Sequence, residues 1–575
     1  MVSRMQVQRR RAIRGDILAS VCGALFFALS VGVEKLDPRN VSWLTFGDQQ
    51  THWLGWRFFA ADSWRWPLGA NPTYGWERMN SIVFTDSFPG LAIIFKAVDV
   101  DMFDKGQYFG LGFLISSIAL FVGGQRLFSH LGLRFWSAIV AAALLGTTPL
   151  FWWMQRWYPA LSSGVPMLVW AFYFYLDSGG VLRRLLFRWS ALLLAAVATQ
   201  AYLVIAVFAF FAATITQRFF KDRREFRALI GTTATIVVLC VAVMYVLGYY
   251  TVPSKWAQTG GYGWYSANLL GLIDPNESSR WVPNLPSISG QYEPTALSTG
   301  SLILVMILVG TLLVARTSFG LMTHIRQHLP LIGILFVLAL IAITNTVSLG
   351  SWSAKIPLPQ RLEHGLSVFR SSARFIWPTV VVLSTCIIAL AARRFRTATA
   401  MLAVVLVIQV VDYSYEFNAV SKQQDGQSAA IGFDPDFWQR VPSGYTTISA
   451  HPAASLGSGW AECAYAAVQT GRSAQCGYFS RVQGLERVNH LQSEALLTGN
   501  LDKSTVYWVS TGWLRANREI LVNVYALSDL KVHVLGAGAV VGSSEVLLFP
   551  NCEARDWCSF LGHRRETLGK FLRSL

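Results

Sequence analysis

Apolar runs of membrane-crossing length recur along the chain from Ile17 to Val411 and then stop. About 20 helical residues cross the ~30 Å hydrocarbon core of a bilayer, and within it a helix satisfies its own backbone. The runs predict helices over Ile17–Val33, Gln107–Gly124, Phe135–Met154, Ala160–Leu176, Ala228–Val246, Leu302–Ala315, Leu331–Thr346, Phe375–Ala392 and Met401–Val411. One further run, Trp189–Thr216, has basic flanks on both sides, RRLLFR and RFFKDRR. Both flanks belong on the cytoplasmic side, which predicts a tight hairpin of two short helices turning near Gln200 and Tyr202. A single helix with one misplaced basic flank is the alternative. The hairpin brings the total to about eleven crossings, an odd number that puts the two termini on opposite sides. Pro89–Val98 is apolar but too short to span and carries Lys96, a pattern that predicts a helix lying in the interface.

Composition agrees with this pattern. Of 575 residues, 53% are hydrophobic and only 14% charged, against roughly 25% charged in soluble domains. The fold class expected is therefore a polytopic α-helical membrane protein, with a soluble carboxy-terminal α/β domain where the apolar runs end. The basic amino terminus is residues 1–16, the transmembrane domain 17–413 and the soluble domain 414–575. Long external loops are expected at 34–105, 250–298 and 350–373. In the tail, YTTISA, STVYWVS and KVHVLGAGAVVG read as strands and VNHLQSEALLTG as a helix. The GAG there lacks the full dinucleotide-binding spacing.

The net charge of +16 comes from short basic segments between apolar runs. That is the positive-inside pattern, and it places the amino terminus in the cytoplasm and the tail outside. It is not a nucleic-acid footprint, since no basic helix or aromatic-basic module accompanies it. The first apolar run has no small-residue cleavage site at its end, so a retained anchor is expected. Cys22, Cys240 and Cys386 lie in apolar runs, where thiols act as small hydrophobes. Cys463, Cys476, Cys552 and Cys558 lie in the tail. They predict two disulfides, Cys463 with Cys476 and Cys552 with Cys558, and with them an oxidising compartment.

Ionisable residues are scarce inside the predicted helices, which argues against a proton-coupled transporter and moves the candidate chemistry to the outer loops. Asp48 follows a glycine and precedes a short amphipathic pattern. It suits a general base for a sugar hydroxyl, or equally an N-cap. Asp86 carries the same ambiguity, with a turn or cap as its plainer role. Lys355, Arg361, Arg370 and Arg374 precede a helix on the outer side, against the usual charge distribution. A phosphate would explain them, as would pairing with lipid headgroups or with acids of other loops. Around Asn268 the aromatic, Gly-rich loop could stack on sugars or line a membrane interface. His52 and His364, one per loop, make no metal motif.

The segment GDQQTHWLGWRFF, followed by an interfacial piece ending in FK, resembles the first external loop of arabinose and mannose transferases. Those enzymes belong to the C-type glycosyltransferase (GT-C) superfamily. PLGANPTYG, SIVFTDSFPGLAIIFK, NLLGLIDP, GQYE and FRSSARFIWP are similar to an uncharacterised bacterial membrane family of that kind, over roughly residues 15–415. The resemblance implies transfer from a polyprenyl-phosphate-linked sugar donor to a glycan or lipid-linked acceptor, with inversion, at the outer face of a bacterial inner membrane. The tail would then be periplasmic, the partners donor, acceptor and membrane lipids, and nucleic acid not among them. By the same resemblance Asp48 is the base, and Arg370, Arg374 and Arg361 hold the departing phosphate. His52, Asp86, Tyr74, Gln200, Tyr202 and Asn268 shape the substrate pocket. Gln49 stands where many members have a second acid, which leaves a divalent cation, Mg or Mn, an open cofactor. A polysaccharide ligase or polymerase and a lipid-linked glycan flippase or transporter are the competing readings.

Overall fold

The computed structural model describes residues 2–45, 47–76, 80–98, 106–152, 159–162, 164–252, 262–315, 326–422, 435–453, 460–480, 485–525, 531–534, 545–549 and 566–567. Two compact units emerge. The first comprises Met1–Asn40, Tyr108–Met244 and Gln258–Gln423, and the second Val41–Gln107, Tyr245–Ala257 and Gln424–Leu575. The long first loop thus groups with the tail.

Every apolar run named above becomes a helix. Six are long and apolar enough to cross a membrane: Ala12–Ser30, Phe109–His130, Ala201–Lys221, Arg223–Leu247, Ser372–Arg394 and Ala398–Tyr415. Phe135–Gly146, Ala160–Leu176, Thr299–Thr311 and Leu329–Ile343 are apolar but shorter. Residues 153–154, the expected end of the Phe135 run, lie outside the described residues. The hairpin is present as Leu182–Val197 and Ala201–Lys221. Gln200 is the cap between them, its side chain accepting from the Tyr202 amide at 2.8 Å.

Polar contacts sort the turns of this unit into two sets. In one, Arg126 forms an ion pair with Asp16 at 2.7 Å and Arg393 donates to the Leu131 carbonyl. Arg218 binds Glu225 at 2.7 Å and the Ser178 carbonyl at 3.1 Å. Gln217 donates to the Gln327 carbonyl at 3.1 Å and Tyr175 meets His328 at 2.8 Å. Edge contact of His130 with Tyr173, centroids 5.8 Å apart, joins these turns into one end of the bundle. All are turns for which the basic flanks predict a single side. Phe109–His130, 22 residues long, separates its two ends by ~33 Å. The turns predicted for the other side form the second set, described below.

The second unit is built on a six-stranded sheet in the order Ser473–Gln475, Thr447–His451, Thr505–Ser510, Glu545–Phe549, Lys531–Val534, Glu566–Thr567. The first three strands are parallel and the remaining pairings antiparallel. TVYWVS is buried along nearly its whole length, as a parallel strand covered on both faces requires. Leu496 of the Leu485–Thr498 helix packs against Tyr507, Val509, Leu514, Leu521 and Leu548. Cys463 and Cys476 form a disulfide tying the Trp460–Gln469 helix to the end of the Ser473–Gln475 strand. Cys552 and Cys558 lie outside the described residues.

The first loop is integral to this unit. Thr73 and Gly75 extend the sheet edge through backbone bonds with Ala474, each 2.9 Å. The Gln49–Ala61 helix lies on the Trp460–Gln469 helix, with Trp53 and Tyr465 ring centroids 5.6 Å apart. Pro89–Val98 is helical as expected. Its Lys96 is buried over the rings of Phe59 and Trp64, at 4.1 and 4.8 Å.

Candidate functional site

In the first unit the residues of the loops expected on the outer side converge. An antiparallel hairpin, Thr346–Leu349 with Trp352–Lys355, follows the Leu329–Ile343 helix. The short helix Gln360–Leu366 comes next, then a 3-10 turn, Ser372–Ile376, leading into Trp377–Arg394. The GQYE loop is stitched to this hairpin. Gln291 donates to Ser348 Oγ at 2.7 Å and to Ser266 Oγ at 3.1 Å, and accepts from Asn268 at 2.9 Å. Asn268 also donates to the Gly350 carbonyl at 2.9 Å and accepts from the amides of Leu270 and Gly350. Its whole amide is thereby engaged in holding the loops.

Tyr202 and the two arginines meet here. The Tyr202 hydroxyl accepts from the Ser371 amide at 2.9 Å. Arg374 is buried, 8% exposed, and its Nε and Nη2 both donate to Glu293 Oε1 at 2.8 Å. Its guanidinium lies 5.2 Å from the Tyr202 ring centre and 5.9 Å from that of Trp377. Arg374 is therefore already balanced by an acid of another loop. Arg370, half-buried, sits 5.3 Å over the Tyr265 ring and donates to its hydroxyl at 3.4 Å. Arg361 and His364 are exposed, and Lys355 is 4.0 Å from Glu363 in an exposed pair. The cations expected on the outer side thus resolve into Arg374, paired with the buried Glu293, Arg370, set against the Tyr265 ring, and the exposed Arg361.

Two acids of this end carry more than the sequence suggested. Glu293 Oε2 is buried with no hydrogen-bond partner among the described residues. Asp412, 1% exposed at the end of the last long helix, accepts from Ser279 Oγ, from the Arg280 and Trp281 amides and from Thr299 Oγ1. A carboxylate taking four donors pins the 279–281 loop to two helices. The opposite charges of GQYE and FRSSARFIWP were the available signal for the Glu293–Arg374 pair.

In the second unit Gly47, in the left-handed region at φ 61°, turns the chain into the Gln49–Ala61 helix. Asp48 sits at the N-cap position, but with helical φ/ψ and no side-chain bond to the first turn. Its carboxylate is half-buried and has no hydrogen-bond or ion-pair partner among the described residues. His52, one turn on and buried, donates from Nδ1 to the Thr85 carbonyl at 2.8 Å, and Ser87 Oγ donates to the His52 carbonyl at 2.6 Å. Asp86 lies in this same 85–87 turn at φ 50°, a left-handed conformation that Asp tolerates. The turn role is the one it fills. Tyr74 is fully buried, stacked on Phe58 at 4.4 Å and edge-on to Phe479 at 4.8 Å. Its hydroxyl has no hydrogen-bond partner among the described residues, and burial raises its pKa. Gln200, Tyr202, Asn268, Arg361, Arg370 and Arg374 belong to the first unit, and Asp48, His52, Tyr74 and Asp86 to the second. Among the described residues no three His, Cys, Asp or Glu side chains gather as a metal site.

Helices long and apolar enough to cross a membrane, joined by loops that gather aromatic rings, amides and arginines at one end, define a multi-helix protein of membrane type. The chain belongs to the family described as domain of unknown function DUF6311, whose model matches residues 20–414. Comparison with curated proteins gives no match.

Proposed function

We propose that the protein is an inverting glycosyltransferase of the C-type. In this reading it takes a sugar from a polyprenyl-phosphate donor and passes it to a glycan or lipid-linked acceptor outside a bacterial inner membrane. The observation that carries the reading is Asp48. A helix cap was its competing role, and the carboxylate makes no cap bond and no ion pair among the described residues. A half-buried carboxylate without partners among the described residues has its lone pairs available for a hydroxyl proton.

In the proposed step Asp48 accepts the proton of an acceptor hydroxyl, whose oxygen forms a bond to the anomeric carbon. The bond from that carbon to the phosphate oxygen breaks on the opposite face, and the electron pair leaves with the polyprenyl phosphate. Negative charge grows on the leaving group, and fixed cations stabilise such charge well. Arg370, half-buried and set over the Tyr265 ring, is the cation assigned to it. Arg374, paired with Glu293, serves by ordering the Tyr202 and Glu293 surroundings.

Two further observations support the membrane arrangement in this proposal. Six helices are long and apolar enough to cross a membrane, shorter apolar helices occupy the other expected runs, and the basic turns share one end of the bundle. The Cys463–Cys476 disulfide supports an oxidising compartment for the tail. The test supplies purified membranes with a polyprenyl-phosphate sugar. Asp48→Ala is expected to abolish transfer while the protein remains folded, and undiminished transfer would remove Asp48 from the mechanism. An enzyme that used a pyrophosphate-linked oligosaccharide and kept its activity as Asp48→Asn would instead be a ligase or polymerase.

A further inference from the structure

A second polar feature, apart from the residues assigned to sugar transfer above, lies in the tail. The Pro435–Arg440 helix, the turn at 441–446, the Trp460–Gln469 helix and the turn after it surround a cavity of about 800 Å³. That volume is in the range of small-molecule sites, roughly 300–1,000 Å³. Its lining includes the rings of Trp438, Tyr445 and Tyr465, the amides of Gln439 and Gln469, and the guanidinium-bearing side chain of Arg472.

Arg472 is the unusual member. It is 9% exposed, its Nε donates to the Tyr445 carbonyl at 2.7 Å, and Nη2 donates to the carbonyls of Val441 at 2.8 Å and Pro442 at 3.2 Å. These bonds fix the plane of the guanidinium and leave both N–H groups of Nη1 without an acceptor among the described residues. No carboxylate forms an ion pair with it among those residues either. Burying a cation without a counter-charge is costly, and desolvation pulls the Arg472 pKa down. A ligand carrying an anionic oxygen would relieve that cost, because the pre-oriented Nη1 can donate a charge-assisted hydrogen bond to a carboxylate. Around it, Gln amides and the hydroxyls of Ser443 and Thr446 present the donors and acceptors that ring hydroxyls require.

We propose that this cavity binds an acidic saccharide, with the carboxylate of a hexuronate residue on Nη1 of Arg472 and the ring hydroxyls on Gln439 and Gln469. The tail would thereby hold an acidic surface glycan independently of the transfer chemistry. The experiment is calorimetric titration of the full-length protein in detergent with tri-galacturonate and with its methyl ester. The acid is expected to bind about tenfold more tightly than the ester, the scale of one charge-assisted contact. Arg472→Lys keeps the charge but loses the backbone-fixed Nη1 donor, and should weaken binding of the acid by about tenfold. Because Arg472 is tied to the core, two exposed wall variants provide an independent check. Gln469→Ala and the cavity-filling Ser443→Trp should each weaken binding severalfold without changing the unfolding temperature. Equal affinity for acid and ester would overturn the proposal. So would wild-type affinity in both wall variants, binding of glucose 6-phosphate in preference to the uronate, or no heat of binding up to about 10 mM.

Discussion

At the scale of single residues, the arginines that look alike in FRSSARFIWP are physically different. Arg374 is one partner of a buried ion pair, and removing one partner of such a pair costs ~3–5 kcal/mol because the other charge is left uncompensated. Glu293→Gln should therefore lower stability by a few kcal/mol, read as a fall in the unfolding temperature of the purified protein. Arg370→Ala should leave that temperature nearly unchanged and weaken binding of a polyprenyl-phosphate sugar by ~2 kcal/mol, the scale of a lost charge-assisted contact. If Arg370→Ala left donor affinity unchanged, the phosphate assignment would be wrong. His451 provides a pH handle on the tail. It is 3% exposed, shares hydrogen bonds with Gln492 at 3.3 Å and Ser493 at 3.1 Å, and meets the Trp513 ring edge-on at 4.5 Å. Burial lowers its pKa, with the Gln492 bond opposing in part. The unfolded chain, titrating near the ordinary ~6.5, then binds the proton more readily than the fold does. Stability is full above that pH and falls as pH drops below it. Corrected for the base-catalysed intrinsic exchange rate, protection of the amides of the Leu485–Thr498 helix should fall between pH 7.5 and 5.5, and His451→Asn should remove most of that change. An equal fall in protection in the variant would place the pH sensitivity elsewhere.

At the scale of elements, the helices were legible and their partners were not. The hairpin at Gln200 could be read because two basic flanks conflicted with one crossing, a local contradiction resolved by a turn. Asp86 and His52 were legible as residues but not as a unit, since the contact of the Gln49–Ala61 helix with the 85–87 turn spans more than thirty positions of sequence. Gly55 is what allows that contact: a Cβ added there would lie 2.2 Å from Thr85 Oγ1, which is itself bonded to the Ile82 carbonyl and Ser87. Gly55→Ala should therefore destabilise by ~1–3 kcal/mol, the usual cost of overpacking a tight site. A lower unfolding temperature checks it, and an unchanged one would mean that the helix yields without cost. Glu293 went unnoticed because an acid in an irregular aromatic loop has no periodic signature, and only its long-range partner marks it as buried.

At the scale of the whole molecule, the change in composition near residue 414 marks where the apolar runs end but not where the second unit begins. Val41–Gln107 joins the tail through the Ala474 backbone bonds and the Trp53–Tyr465 contact, which no local pattern encodes. The glycosyltransferase proposal places Asp48 in that second unit and Arg370 in the first, so it makes a demand on both. The most direct measurement reconstitutes the purified full-length protein in liposomes with a radiolabelled polyprenyl-phosphate sugar and a glycan acceptor, and follows label transfer in wild type and Asp48→Asn. The account predicts transfer with inverted anomeric configuration in the wild type and loss of at least ~10²-fold in the variant, the scale of a missing general base. No transfer by the wild type from any polyprenyl-phosphate sugar, or equal transfer by the variant, would contradict it.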